Sequence, residues 1–129
     1  MKNVVLDSSA LLALLNREPG AEKLTPELLG SAACSTVNLA EVHSKLVSRG
    51  MSEYDAWQSA LSPVSALIEF TVAHAQTAGD LVRQTRAFGL SLGDRACLAL
   101  GIELGAPVYT ADRSWKKILN LPVQINVIR

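Results

Sequence analysis

Aromatic residues make up only 5% of this 129-residue chain, and there are just two cysteines. With so few rings, the core has to come from Leu, Val, Ile and Ala within a hydrophobic fraction of 49%, a composition that suits helices packed on a sheet. Cys34 and Cys97 each stand alone in an apolar context, with no CxxC and no histidine at ligand spacing. They read as reduced, buried thiols, which sets aside a zinc site or a disulfide framework. No long hydrophobic run is present: the first apolar stretch, Val4 to Leu15, is broken by Asp7 and is too short to cross a bilayer or serve as a cleaved signal. The expected location is the cytoplasm. Walker A, GxGxxG and GxSxG motifs are also missing, which argues against nucleotide hydrolysis, NAD chemistry and a serine nucleophile.

Charge of one sign is lacking too, since 12 basic and 12 acidic residues cancel. A neutral total argues weakly against nucleic-acid binding. If four carboxylates were gathered around metal ions, however, 12 basic residues would face the remaining 8 acidic ones, so an RNA substrate stays open. At this length the chain is expected to form one domain, residues 1–129, with one function.

What is present is an alternation of strands and helices. Residues 3–7 read as a strand buried on both faces, with Ser8 or Ser9 capping a helix over 10–16. A turn over 17–20 and a short helix interrupted near Pro26 follow. Further strands are expected over 33–36, 67–72, 106–110 and 123–128, and helices over 38–49, 52–61, 73–86, 91–104 and 112–119. The order implies an α/β/α sandwich around a mainly parallel sheet, whose ligands bind at the carboxyl ends of the strands.

Four acids fall on that edge. Asp7 ends the first strand, Asp112 follows the strand PVYT, and Glu41 and Asp94 stand in the first turns of helices. Each also has a structural explanation: Asn38-x-x-Glu41 and Ser91-x-x-Asp94 resemble capping boxes, Asp7 fits an Asx turn and Asp112 an N-cap. Four unpaired carboxylates on one edge would repel one another and need a cation, and oxygen ligands favour Mg²⁺ or Mn²⁺ over zinc. Such a site activates water for attack on a phosphodiester, and no nucleophilic side chain is required. His43 and His74 have no partner at readable spacing and are expected to be packed or solvent-facing.

The segments VVLDSSALLALL, NLAEVHSKL, LSLGDRACLALG and VYTADRSWKKI resemble, in order and spacing, the four acidic motifs of PIN domains of the VapC toxin type. The resemblance implies a three-layer α/β/α fold, an Mg²⁺-dependent endoribonuclease, metal ligation by Asp7, Glu41, Asp94 and Asp112, and ligand or water orientation by Thr110. Ser9 matches a second hydroxyl position. The resemblance further implies a homodimer and a VapB-like antitoxin partner, with Tyr54 and Trp57 as candidates for a dimer surface, although core packing would explain both equally well. Trp115 stands where the family more often has another aromatic, a change expected to affect packing alone. Arg95, Arg113, Lys116 and Lys117 flank the acids and are candidates to hold RNA phosphates. A phosphatase of the haloacid dehalogenase type would place a second Asp at position 9, where this chain has Ser9. A receiver domain would need a phosphoacceptor Asp on the third strand, which is not evident. The remaining rival is a PIN-like module that binds RNA or protein without cutting.

Overall fold

A computed structural model describes residues 4–129, so Asn3, expected in the first strand, lies outside the described residues. Five short strands are β1 (Val4–Leu6), β2 (Ala32–Ser35), β3 (Ala66–Ile68), β4 (Val108–Thr110) and β5 (Ile125–Val127). The helices are α1 (Ser8–Leu15), α2 (Pro26–Leu29), α3 (Thr36–Ser48), α4 (Glu53–Leu61), α5 (Val72–Asp80), α6 (Val82–Thr85) and α7 (Leu92–Leu104). A 3-10 turn spans Arg113–Lys117.

All pairings are parallel, in the order β3-β2-β1-β4-β5. The chain therefore builds outward from β1 through β2 to β3, then returns to the other side of β1 for β4 and β5. The reversal lies between β1 and β4, and the crevice outside the carboxyl ends of strands at such a switch point is where ligands of open parallel sheets bind.

Alternation along β1 fills both faces of the sheet. Val4 and Leu6 join Leu11, Leu39, Val42 and Ala56 under α1, α3 and α4, whereas Val5 joins Cys97, Leu98 and Leu100 of α7 together with Trp115. Two helical layers thus enclose the sheet, giving the three-layer α/β/α arrangement. Trp115 is 1% exposed, in keeping with a packing role for that aromatic. Both cysteines are free and buried, and burial pushes the Cys34 thiol up to about 12.

Several boundaries differ from the sequence expectation, for local reasons. Helix α3 starts at Thr36 because Ser35, the last residue of β2, caps it by accepting from the Val37 N–H at 3.2 Å. Asn38 therefore sits inside the helix, and the expected capping box of Asn38 with Glu41 does not exist. Strand β3 stops at Ile68, and the Phe70 N–H turns to the Thr36 hydroxyl at 3.2 Å. The helix expected over 73–86 begins at Val72, behind a capping box of Thr71 with His74, and breaks after Asp80 into α5 and α6. The weak helix former Gly79 stands beside that break.

Candidate active site

Strand β1 ends by becoming the cap of α1. Asp7 is extended at φ −77°, ψ 157°, and its carboxylate accepts from the Ser9 N–H. The neighbouring strand brings Thr110 alongside: Leu6 pairs with Tyr109, and the Asp7 N–H donates to the Tyr109 carbonyl at 2.9 Å. Both hydroxyls turn to one carboxylate oxygen. Ser9 Oγ donates to Asp7 Oδ2 at 2.6 Å and Thr110 Oγ1 donates to the same atom at 2.9 Å. Each hydroxyl has a single proton, so both are committed there. Asp7 Oδ1 is left buried without a partner among the described residues.

That orphan oxygen is costly in a closed protein interior. Asp7 is only 2% exposed, and its carboxyl is raised from 3.8 to about 6. Burial is the main cause and the Asp94 charge adds to it, while the Ser9 and Thr110 hydrogen bonds oppose it. A cation at Oδ1 would relieve both the missing partner and the repulsion.

Glu41 is one and a half turns into α3, and its position is set by contacts that the sequence did not reveal. Ser8 Oγ donates to Glu41 Oε1 at 2.5 Å, and Asn38 Nδ2 donates to the same oxygen at 3.1 Å. Asn38 is fully buried, and its amide also reaches Ser8 Oγ and the Gly93 carbonyl, each at 3.0 Å. Gly93, in the first turn of α7, leaves the space that the Glu41 carboxyl group fills, because a Cβ there would collide with it. The signal for this cluster is a buried Asn three residues before an acid and a glycine one residue before another. Neither can be told from ordinary helix-start residues without the pairing of α3 with α7.

Asp94 closes a capping box in α7: its side chain accepts from the Ser91 N–H at 2.9 Å, and its own N–H donates to Ser91 Oγ at 3.2 Å. Its carboxyl is nonetheless raised, by burial first and by the charges of Glu41 and Asp112, with the Ser91 bonds opposing. Asp112 caps the 3-10 turn through Ser114, whose N–H and hydroxyl donate to Oδ1 at 2.9 and 2.7 Å.

Asp7, Glu41 and Asp94 line one cleft of about 340 Å³ together with Ser8, Ser9 and Ser91. Asp112 is exposed and does not line it, although its charge reaches Asp94. As the side chains stand, no three carboxylate, imidazole or thiol groups among the described residues close on a single ion.

The expected phosphate-binding cations are not on that cleft. Arg95 Nη1 donates to the Ala78 carbonyl at 2.8 Å, tying α7 to α5, and Arg113 Nε donates to the Arg129 carbonyl at 2.9 Å. Lys116 and Lys117 are exposed on the 3-10 turn. The cations that do line the cleft are Lys45, Arg49 and Arg129. Neither histidine lines it: His74 Nε2 faces Glu103 at 2.9 Å, and His43 packs edge-on against Trp57.

Compared with family models, residues 4–120 match the PIN domain. The chain belongs to the PIN domain family. Solved structures similar to this PIN domain include VapBC proteins. VapBC2 from Rickettsia felis, bound to a promoter DNA fragment, is 20% identical, with a TM-score of 0.74 and 98% of each chain covered. DNA-bound VapBC from Salmonella typhimurium is 13% identical, with a TM-score of 0.75 and 100% of each chain covered. The sarcin-ricin loop cleaving toxin VapC20 from Mycobacterium tuberculosis is 19% identical, with a TM-score of 0.71, covering 95% of this chain and 99% of that one. At these identities the likeness establishes the PIN fold. A comparison of the sequence with curated proteins finds no match.

Proposed function

We propose that this PIN domain is a Mg²⁺-dependent endoribonuclease, the toxin of a type II toxin–antitoxin pair, and that the whole chain works as one domain. The observation that carries the reading is Asp7 Oδ1, a buried, unpartnered carboxylate oxygen at the switch point of the sheet. Asp7 lines a cleft shared with Glu41 and Asp94.

The donor set suits a hard divalent ion: carboxylates and hydroxyls, with no thiol or imidazole on the cleft among the described residues. Asp7 through Oδ1, Glu41 and Asp94 would hold Mg²⁺, or Mn²⁺ in its place, with Asp112 at the rim. When bound, the ion supplies Lewis-acid stabilisation of the phosphoryl oxygens and lowers the pKa of water. The protein groups do the rest. Ser9 and Thr110 favour the ionised form of Asp7 and orient it, while Ser8 and Asn38 fix one oxygen of Glu41 and leave Oε2 without a side-chain donor among the described residues. Thr110 also accepts from the Asp112 N–H at 3.1 Å, linking the last acid to the first.

Partners follow from the same reading: an RNA substrate, a VapB-like antitoxin, and a second copy of the chain. The homodimer reading is supported by Tyr54 and Trp57 on α4, 73% and 41% exposed, which are not consumed by the core. Arg113, Lys116 and Lys117 are proposed as outer phosphate contacts, whereas Arg95, expected beside them, is engaged by the Ala78 carbonyl. No helix among the described residues is long and apolar enough to cross a membrane, and a cytoplasmic location is proposed.

The test is expression of the chain without a partner in a bacterial host. Growth should stop, and Asp7→Asn should abolish the arrest at unchanged soluble yield. Equal arrest by the variant would overturn the metal-site reading. No arrest by the parent, together with no cleavage of RNA by purified protein, would leave the non-cleaving binding module.

A further inference from the structure

The cleft is acidic at its floor and basic along one wall, and that wall is a stripe of one helix. Lys45 and Arg49 follow Glu41 at intervals of four along α3. The helical rise sets them about 6 and about 12 Å from Glu41 along the axis, on the same face. Both line the cleft, as does Arg129 from the end of the chain.

An intrahelical ion pair of Glu41 with Lys45 is the first alternative, because glutamate four residues before lysine is the favoured order. The structure does not form it. Glu41 Oε1 is taken by Ser8 and Asn38, and neither Lys45 nor Arg49 makes a salt bridge among the described residues. Arg129, in contrast, is held by Glu18 at 2.9 Å and by the Pro19 carbonyl at 3.3 Å. The second alternative is that Lys45, in the last turn, and Arg49, the C-cap, serve only the negative end of the α3 dipole. A dipole role needs no cleft and leaves the cations indifferent to what the cleft binds.

We propose that Lys45 and Arg49 form a backbone subsite that holds phosphates of a single-stranded RNA flanking the scissile bond, leading the strand along α3 towards Glu41. The inference rests on the nuclease reading and extends it by naming the direction of the strand and the side chains that grip it. Unpaired cations one and two turns from the acids offset the repulsion that an acidic floor would exert on a polyanion. The lysine contributes a point charge and the arginine a forked donor suited to phosphate.

The test uses the full chain and a fluorescein-labelled single-stranded RNA of mixed sequence in Mg²⁺. Cleavage by the parent is measured first, because its absence counts against the nuclease reading whatever the cations do. Against that positive result, Lys45→Ala/Arg49→Ala should raise KM tenfold or more and change kcat less than threefold. In the Asp7→Asn background, the slope of log binding constant against log salt should flatten by about 0.7 per lost contact. Arg83→Ala/Arg86→Ala removes the same charge from residues that do not line the cleft and should leave both readouts near parental. If the α3 variant keeps KM and salt slope while losing only melting temperature, the cations serve the helix dipole and the subsite does not exist. If it keeps RNA binding but loses binding of an acidic protein partner, the wall serves that partner and the proposal is equally wrong.

Discussion

The Asn38 side chain donates to the Gly93 carbonyl at 3.0 Å, tying the first turn of α3 to the first turn of α7 across the carboxyl edge of the sheet. Through this bond and its reach to Ser8 and Glu41, one buried amide fixes the relative placement of three helices that carry the acids.

Gly93→Ala tests whether that placement matters. Alanine is favoured over glycine within a helix by about 1 kcal/mol, so propensity alone would stabilise α7. The added Cβ takes the space of the Glu41 carboxyl group, which must swing away because it is the end of a flexible side chain. The expected outcome is RNA cleavage reduced tenfold or more with a melting temperature close to parental. Cleavage at the parental rate would show that Glu41 has no fixed role.

Asp94 separates capping from catalysis. In Asp94→Asn an oxygen remains to accept from the Ser91 N–H, so a residue that only caps would lose about 0.3–1 kcal/mol of charge–dipole energy and no activity. A carboxylate raised by burial and by its acidic neighbours should instead be relieved by the change. We expect a melting temperature in EDTA at or above parental and cleavage lowered on the order of a hundredfold. A lower melting temperature with near-parental cleavage would make Asp94 a cap and nothing more.

Asp7 gives a pH dependence of defined sign. Its carboxyl stands at about 6 in the folded chain against 3.8 for the free group, chiefly through burial. The folded state therefore binds the proton more tightly, and the resulting stability is present below about pH 4 and is lost as pH rises through about 6. Without metal, keeping the residue ionised at neutral pH costs up to about 3 kcal/mol, since each tenfold change in proton affinity is worth roughly 1.4 kcal/mol. Urea denaturation of parent and Asp7→Asn in EDTA from pH 4 to 8 should show the difference between them growing in favour of the variant. Parallel curves would mean that Asp7 is not strained by its burial.

Much of this arrangement is legible in the sequence. The apolar run of β1 ending in Asp7 and the helix opening at Ser91 carry the layer order and the edge on which the acids fall. Asp112 is also readable as a cap, and its exposure outside the cleft shows how a strand-end acid can sit at the rim. The cations are harder: Arg95 is near an acid in sequence, yet its helical position turns it to Ala78. Lys45 and Arg49 gain their place only because α3 leans along the cleft. Asn38 reads as a cap because the true cap, Ser35, also ends a strand, and side-chain hydrogen bonding from serine sets the helix start earlier. Tyr54 and Trp57, equally consistent with a core, are exposed because Ala56 and Ala60 carry the buried face of α4.

Whether the acids of the cleft hold a divalent ion that cuts RNA is decided by the metal dependence of cleavage by the purified full chain. A 5′-labelled RNA should be cut internally in millimolar Mg²⁺ or Mn²⁺, stay intact in EDTA, and stay intact with Asp7→Asn in either. Undiminished cleavage in EDTA, or activity restored by zinc alone, would rule out the carboxylate-held ion.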